Sequence, residues 1–85
     1  MSNVFTTFRV INGDNLEIIE VKGKHLFLAM LIAGTDPAKI QREMMKLCIL
    51  KDGKELSDQY LDELDAYDYV QLGELLAIQM QKTKV

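Results

Sequence analysis

Between Ser57 and Met80 the chain reads SDQYLDELDAYDYVQLGELLAIQM, where two helix starts follow one another within eight residues. Asp65 stands as an N-cap whose carboxylate accepts a backbone N–H from Tyr67 or Asp68, and Asp68 at N3 is placed to reach back as a short capping-box acid. Leu64 and Tyr69 then fall at the two hydrophobic-staple positions. Ser57 repeats the device, with Leu56 and Leu61 as its staple pair. This predicts a short helix at 57–63 and a longer amphipathic one at 66–81. Asp62, Asp65 and Asp68 thereby acquire a structural task, since negative charge near a helix start complements the macrodipole.

The chain has 85 residues, which makes one domain (1–85) with a modest core, small enough for a partner or an oligomer to matter to its stability. A 48% hydrophobic fraction with a single proline fits a folded chain without a Pro-rich linker. Net charge is −3, from 13 acids against 10 scattered Lys and Arg, with no basic stripe for a nucleic-acid backbone. A protein partner is expected instead, with no nucleic acid and no membrane. The start MSNVFTTFRV lacks the pattern of a signal peptide, and the longest apolar run, Leu26 to Ala33, is too short to span a bilayer. With Cys48 as the only cysteine, a reducing compartment and a cytoplasmic location are expected.

Along the chain, Val4 to Ile11 and Leu16 to Val21 read as the strands of a β-hairpin (4–21), turned at Asn12-Gly13-Asp14-Asn15. The segment 24–33 reads as a short, almost wholly apolar helix ended by Gly34 and is expected at the centre of the core. Asp36 as N-cap and Pro37 at N1 open the next helical stretch, 36–50. In it Ile40, Met44, Leu47 and Cys48 form the buried stripe. Lys51-Asp52-Gly53-Lys54 reads as a polar turn, and Lys82 to Val85 as a frayed tail. The fold class is therefore α+β, an N-terminal hairpin packed on a bundle of three to four helices.

Sites for chemistry are weak. His25 is the sole histidine and has no visible nucleophile beside it, Cys48 lies on the apolar stripe, and the acids of 58–68 lack calcium-loop spacing. The five glycines are too far apart for a phosphate loop. No catalytic residue, cofactor or metal is expected, and the protein is read as a non-enzyme.

The order of elements, with LDELDAYDYVQLGELLA at Leu61 to Ala77 behind a hairpin and a mid-chain helix, resembles the small tail assembly chaperones of long-tailed bacteriophages, in the Mu-like and P2-like tail group. The resemblance is close over Leu61, Asp62, Leu64, Asp65, Asp68 and Tyr69, which match an L-D-x-L-D-x-x-D-Y segment, and loose elsewhere. It implies a chaperone in the host cytoplasm that covers hydrophobic helical stretches of the tape measure protein during tail assembly, with the tail tube protein as a further candidate partner.

Such a role suits a groove that accepts an apolar helix, in which flexible methionines adapt to varied surfaces. Met44 joins the core stripe, leaving Met45 partly outside it, and Tyr60, Tyr67 and Tyr69 cannot all face inward. The candidate protein-binding set is Met45, Tyr67, Tyr69, Leu76 and Met80. A methionine on an apolar stripe is more often core filler, and an exposed tyrosine is common on surfaces. Gly73 within the final helix points to close approach of another helix backbone, inside the fold or across an oligomer contact, and a homo-oligomer stays open. The alternative function is a small phage or bacterial regulator or inhibitor that presents an acidic helical face.

Overall fold

In the computed structural model, which describes residues 3–81, three of the four helices begin at side chains that cap them. Asp36 Oδ1 accepts the Ala38 and Lys39 amides at 2.9 and 3.3 Å, and Pro37 follows at N1. Ser57 Oγ accepts Tyr60 N–H at 3.1 Å, and Asp65 Oδ1 accepts Tyr67 N–H at 2.9 Å. These starts open α2 (Pro37–Cys48), α3 (Asp58–Asp62) and α4 (Ala66–Met80), while α1 (Gly23–Ala33) precedes them without a side-chain cap of that kind.

The protein is α+β, but its sheet has four strands rather than two. Strands β1 (Val4–Arg9), β2 (Asn15–Ile19), β3 (Ile49–Lys51) and β4 (Lys54–Glu55) pair antiparallel in chain order. The first hairpin turns over Val10 to Asp14, where Gly13 takes φ +100° and Asn12 Oδ1 accepts the Asp14 amide at 2.8 Å. The second hairpin corrects one expectation and extends another. The mid-chain helix stops at Cys48, because Ile49 and Leu50 pair with Ile18 and Glu17, and the polar turn is a hairpin turn with Asp52 at φ +53° and Gly53 at φ +79°. Consecutive positive φ angles in an Asp-Gly pair suit the right-handed twist of the strands they join.

The core lies between the sheet, through Leu16, Ile18 and Ile49 with Ile19 buried at the end of β2, and the helices, through Met44, Met45, Cys48, Leu61, Leu72 and Leu76. Two polar side chains stitch α4 to the hairpin. Asp68, instead of reaching back to its own helix start, is buried with Oδ2 accepting the Ile11 amide at 2.9 Å. Gln79 takes Val21 N–H on its Oε1 at 2.9 Å and donates from Nε2 to the Ile19 carbonyl at 3.0 Å. Lys82 to Val85 lie outside the described residues.

The helix expected at the centre of the core is at the surface. Only His25 and Ala29 of α1 are buried. Leu26, Phe27, Leu28, Met30, Leu31 and Ile32 are all exposed. An all-round apolar helix asks for cover on every side, and α1 receives it chiefly from α2, which follows it after the short connection Gly34 to Asp36.

Candidate functional site

α1, α2 and α4 enclose a groove of about 390 Å³. Met44, Gly73 and Leu76 form its floor, and Leu26, Ile40, Ala77 and Met80 rise at its sides. Gln41 is the one hydrogen-bonding side chain among its lining residues. Gly73 makes room for that side chain: a Cβ there would collide with Gln41 Nε2. Close approach at Gly73 is thus made by a side chain of α2, which corrects the expectation of an approaching helix backbone.

The five sequence-selected residues divide. Met80 is 50% exposed on the groove wall, and Tyr67, 62% exposed, stands near the start of α4. Tyr69 is half-buried: its ring lies 5.5 Å from the Arg42 guanidinium carbon and its hydroxyl accepts from Arg42 Nε at 3.3 Å. Met45 is corrected. Met45 is 0% exposed because α2 is covered on that side as well as on the Met44 side, so it is core. Leu76, 1% exposed, lies in the groove floor. The residues that sequence reasoning missed are Phe27, Leu31 and Ile32, each more than 60% exposed. Their signal was present in the composition of 24–33, since a chain of 85 residues lacks the material to surround one helix completely.

The charged face beside the groove is largely self-neutralised. Arg42 donates to Asp58 at 3.1 Å and to Asp62 at 2.9 Å, and Lys46 holds Asp58 at 3.1 Å and Glu43 at 3.2 Å. Hydrogen bonds to Tyr69 and Asp62 raise the Arg42 pKa, and those from Lys46 and Arg42 hold the Asp58 carboxyl below its usual range. A second cluster pins the first hairpin turn, with Tyr60 donating to Asp14 Oδ2 at 2.8 Å and Lys51 lying 3.5 Å from the same oxygen. Burial, then Asp14, pushes the Tyr60 phenol up to about 12.

Reactive groups are occupied or enclosed. His25 Nδ1 accepts the Lys22 amide at 2.9 Å, which requires a neutral ring, and burial lowers its pKa. Burial pushes the Cys48 thiol up to about 11, far from a thiolate at neutral pH. Among the described residues no group of three or more His, Cys, Asp or Glu side chains could hold a metal ion. None of their helices is long and apolar enough to cross a membrane. The arrangement is therefore suited to recognising an apolar surface. No family model, curated protein or solved structure matches the chain.

Proposed function

We propose that the protein is a small assembly chaperone whose groove between α1, α2 and α4 takes the apolar face of a client helix. The observation that carries this reading is the groove itself, long-walled, apolar and open, with the flexible Met80 on its wall and one amide, Gln41, to meet a polar group. The resemblance of Leu61 to Ala77 to the tail assembly chaperones of long-tailed phages supplies the client: exposed helical stretches of a tape measure protein before the tail tube encloses them. The tail tube protein is the further partner that this role implies.

The regulator reading has less support. Asp58 and Asp62 are paired with Arg42 and Lys46, and Asp68 is buried on a backbone amide, which leaves Glu63 and Asp65 as the exposed acids of 58–68 outside these pairs.

Co-expression with a tape measure protein of a long-tailed phage tests the proposal. The chaperone is expected to raise the soluble yield of that protein and to co-elute with it in gel filtration. Ala77→Arg, which fills the groove from a half-buried position, is expected to abolish both effects while the chain stays folded. Unchanged solubility and no complex with the natural chain would overturn it.

A further inference from the structure

α1 is started by one of its own side chains. It opens without an Asp, Asn, Ser or Thr cap, and the amide of Lys22 at its N-cap is taken instead by His25 Nδ1 at 2.9 Å. A ring nitrogen that accepts carries no proton, so the neutral imidazole bears its hydrogen on Nε2. Nε2 has no hydrogen-bond partner among the described residues and reaches solvent at the margin of a ring that is otherwise buried. The next proton can bind only at Nδ1, where it points at the Lys22 N–H. The bond that starts the helix is then replaced by two opposed donors.

We propose that His25 is a proton-operated latch: protonation at Nδ1 releases the first turn of α1, and with it the Leu26 wall of the groove. The effect on client binding rests on the groove reading above, whereas the release itself does not.

The surroundings offer the imidazolium no compensation. Lys24 and Lys22 act on the ring, and the first turn of α1 contains no acid, so a further positive charge there also opposes the helix macrodipole. Glu20, just before the helix, lies 3.5 Å from Lys22 Nζ. At the start of α2, which packs against α1, Asp36 is turned to the Ala38 and Lys39 amides, and Lys39 lines a pocket with Ile32 and Ala33 at the far end of α1. Further along α2, Glu43 is paired with Lys46, and Arg42 with Asp58 and Asp62. On α4, Asp68 is held by the Ile11 amide, Glu74 is exposed, and the side chain bonded to Val21 ahead of α1 is the neutral Gln79. Burial and the two lysines accordingly hold the His25 pKa below its ordinary 6.5.

Little else fastens this turn. α1 buries only His25 and Ala29, and Leu26, the neighbour of the latch, lines the groove while remaining exposed. An imidazolium drawn into water removes one of those two anchors. Gln79 still ties Val21 and Ile19 to α4, which confines the opening to the start of α1.

NMR and amide exchange on the client-free chain between about pH 8 and pH 5, the range in which histidine titrates, provide the test. His25 is the only histidine, so its ring signals are unambiguous, and Asp14 and Asp58, held below the usual carboxylate range, stay ionised throughout. The ring is expected as the Nε2–H tautomer at pH 8. Protection of the Lys22, His25 and Leu26 amides, corrected for the intrinsic exchange rate at each pH, should fall below pH 6.5 by up to about tenfold per pH unit, while α4 amides keep theirs. His25→Asn places an uncharged acceptor, Oδ1, where Nδ1 stands, and should make that protection independent of pH. Lys24→Gln removes a repulsion and should raise the pKa of the ring. An Nδ1–H tautomer at pH 8, unchanged protection of the three amides down to pH 5, or the same fall in His25→Asn would overturn the latch. None of these readouts uses a client, so their failure leaves the groove reading standing, and a failed co-expression leaves the latch standing.

Discussion

Replacing Gln79 by leucine removes both ends of the amide that joins α4 to the β2 exit while keeping the side chain's approximate volume. The two ends are unequal. The Ile19 carbonyl belongs to a buried residue and would be left without its partner, whereas Val21 is half-buried and its N–H regains water. An unsatisfied buried group costs about 1–3 kcal/mol and a lost but rehydrated bond about 0.5–1.5. Gln79→Leu should therefore lose about 2–3 kcal/mol, measured by urea titration with the slope unchanged. For a chain of this length that corresponds to a melting point lower by roughly 10–20 °C. Gln79→Glu sharpens the test, because its carboxylate keeps the Val21 contact but opposes the Ile19 carbonyl. It should be less stable than Gln79→Leu at neutral pH and recover as acid protonates the carboxyl and restores a donor. A Gln79→Leu protein within about 0.5 kcal/mol of the natural chain, the range of ordinary surface changes, would refute the claim that this amide fastens α4 to the sheet.

Gly73→Ala should stabilise the fold by about 0.5–1 kcal/mol in a chemical melt, since the helix gains propensity and the obstructing atom is the end of an exposed Gln41 side chain that can swing aside. The same variant narrows the groove floor and should weaken client binding. His25 is neutral in the fold with its pKa lowered, chiefly by burial and then by Lys24 and Lys22, so its contribution is complete above the ordinary value of 6.5 and declines as pH falls below it toward the lowered value. Thermal melts at pH 7.5 and 5.5 should show that decline, and His25→Gln should flatten it. Arg42→Lys keeps one charge but loses the fork that spans Tyr69, Asp58 and Asp62, and should cost about 1 kcal/mol, less at high salt. Amide exchange should be faster along α1 than along α4, because α1 buries two residues where α4 buries five.

What was legible in the sequence was local. Asp36, Ser57 and Asp65 announce their helices because a cap is a contact between residues two or three apart, and Asn12-Gly13 announces its turn for the same reason. The second hairpin was equally local, since Asp52-Gly53 is as strong a turn signal as Asn12-Gly13. It was hidden by the helical spacing of Met44, Leu47 and Cys48, which runs straight into Ile49 with no breaker between them. Asp68 and Gln79 were illegible for the opposite reason. Their partners, Ile11, Ile19 and Val21, lie more than 50 residues away, and no periodicity marks a carboxylate that serves a distant amide. In the candidate site, the exposure of Met80 and Tyr67 was legible because amphipathic spacing places them off the α4 core face. Met45 was misplaced because α2 is covered over a wider arc than the stripe of Ile40, Met44, Leu47 and Cys48 marks.

The misreading of α1 is the instructive one. Apolar content alone cannot say whether a helix is enclosed by its own chain or awaits cover from another, since both conditions select the same side chains. The distinction lies in what secures the rest of the fold. α2, α3 and α4 carry polar caps, and a core of thirteen buried apolar residues closes around the sheet while taking only Ala29 from α1. That core does not need Phe27 or Leu31, so their retention on the surface answers to something outside it. A large exposed apolar patch marks an association surface in a monomer of this size. α1 accordingly walls the groove with Leu26 and keeps Phe27, Leu31 and Ile32 on the surface.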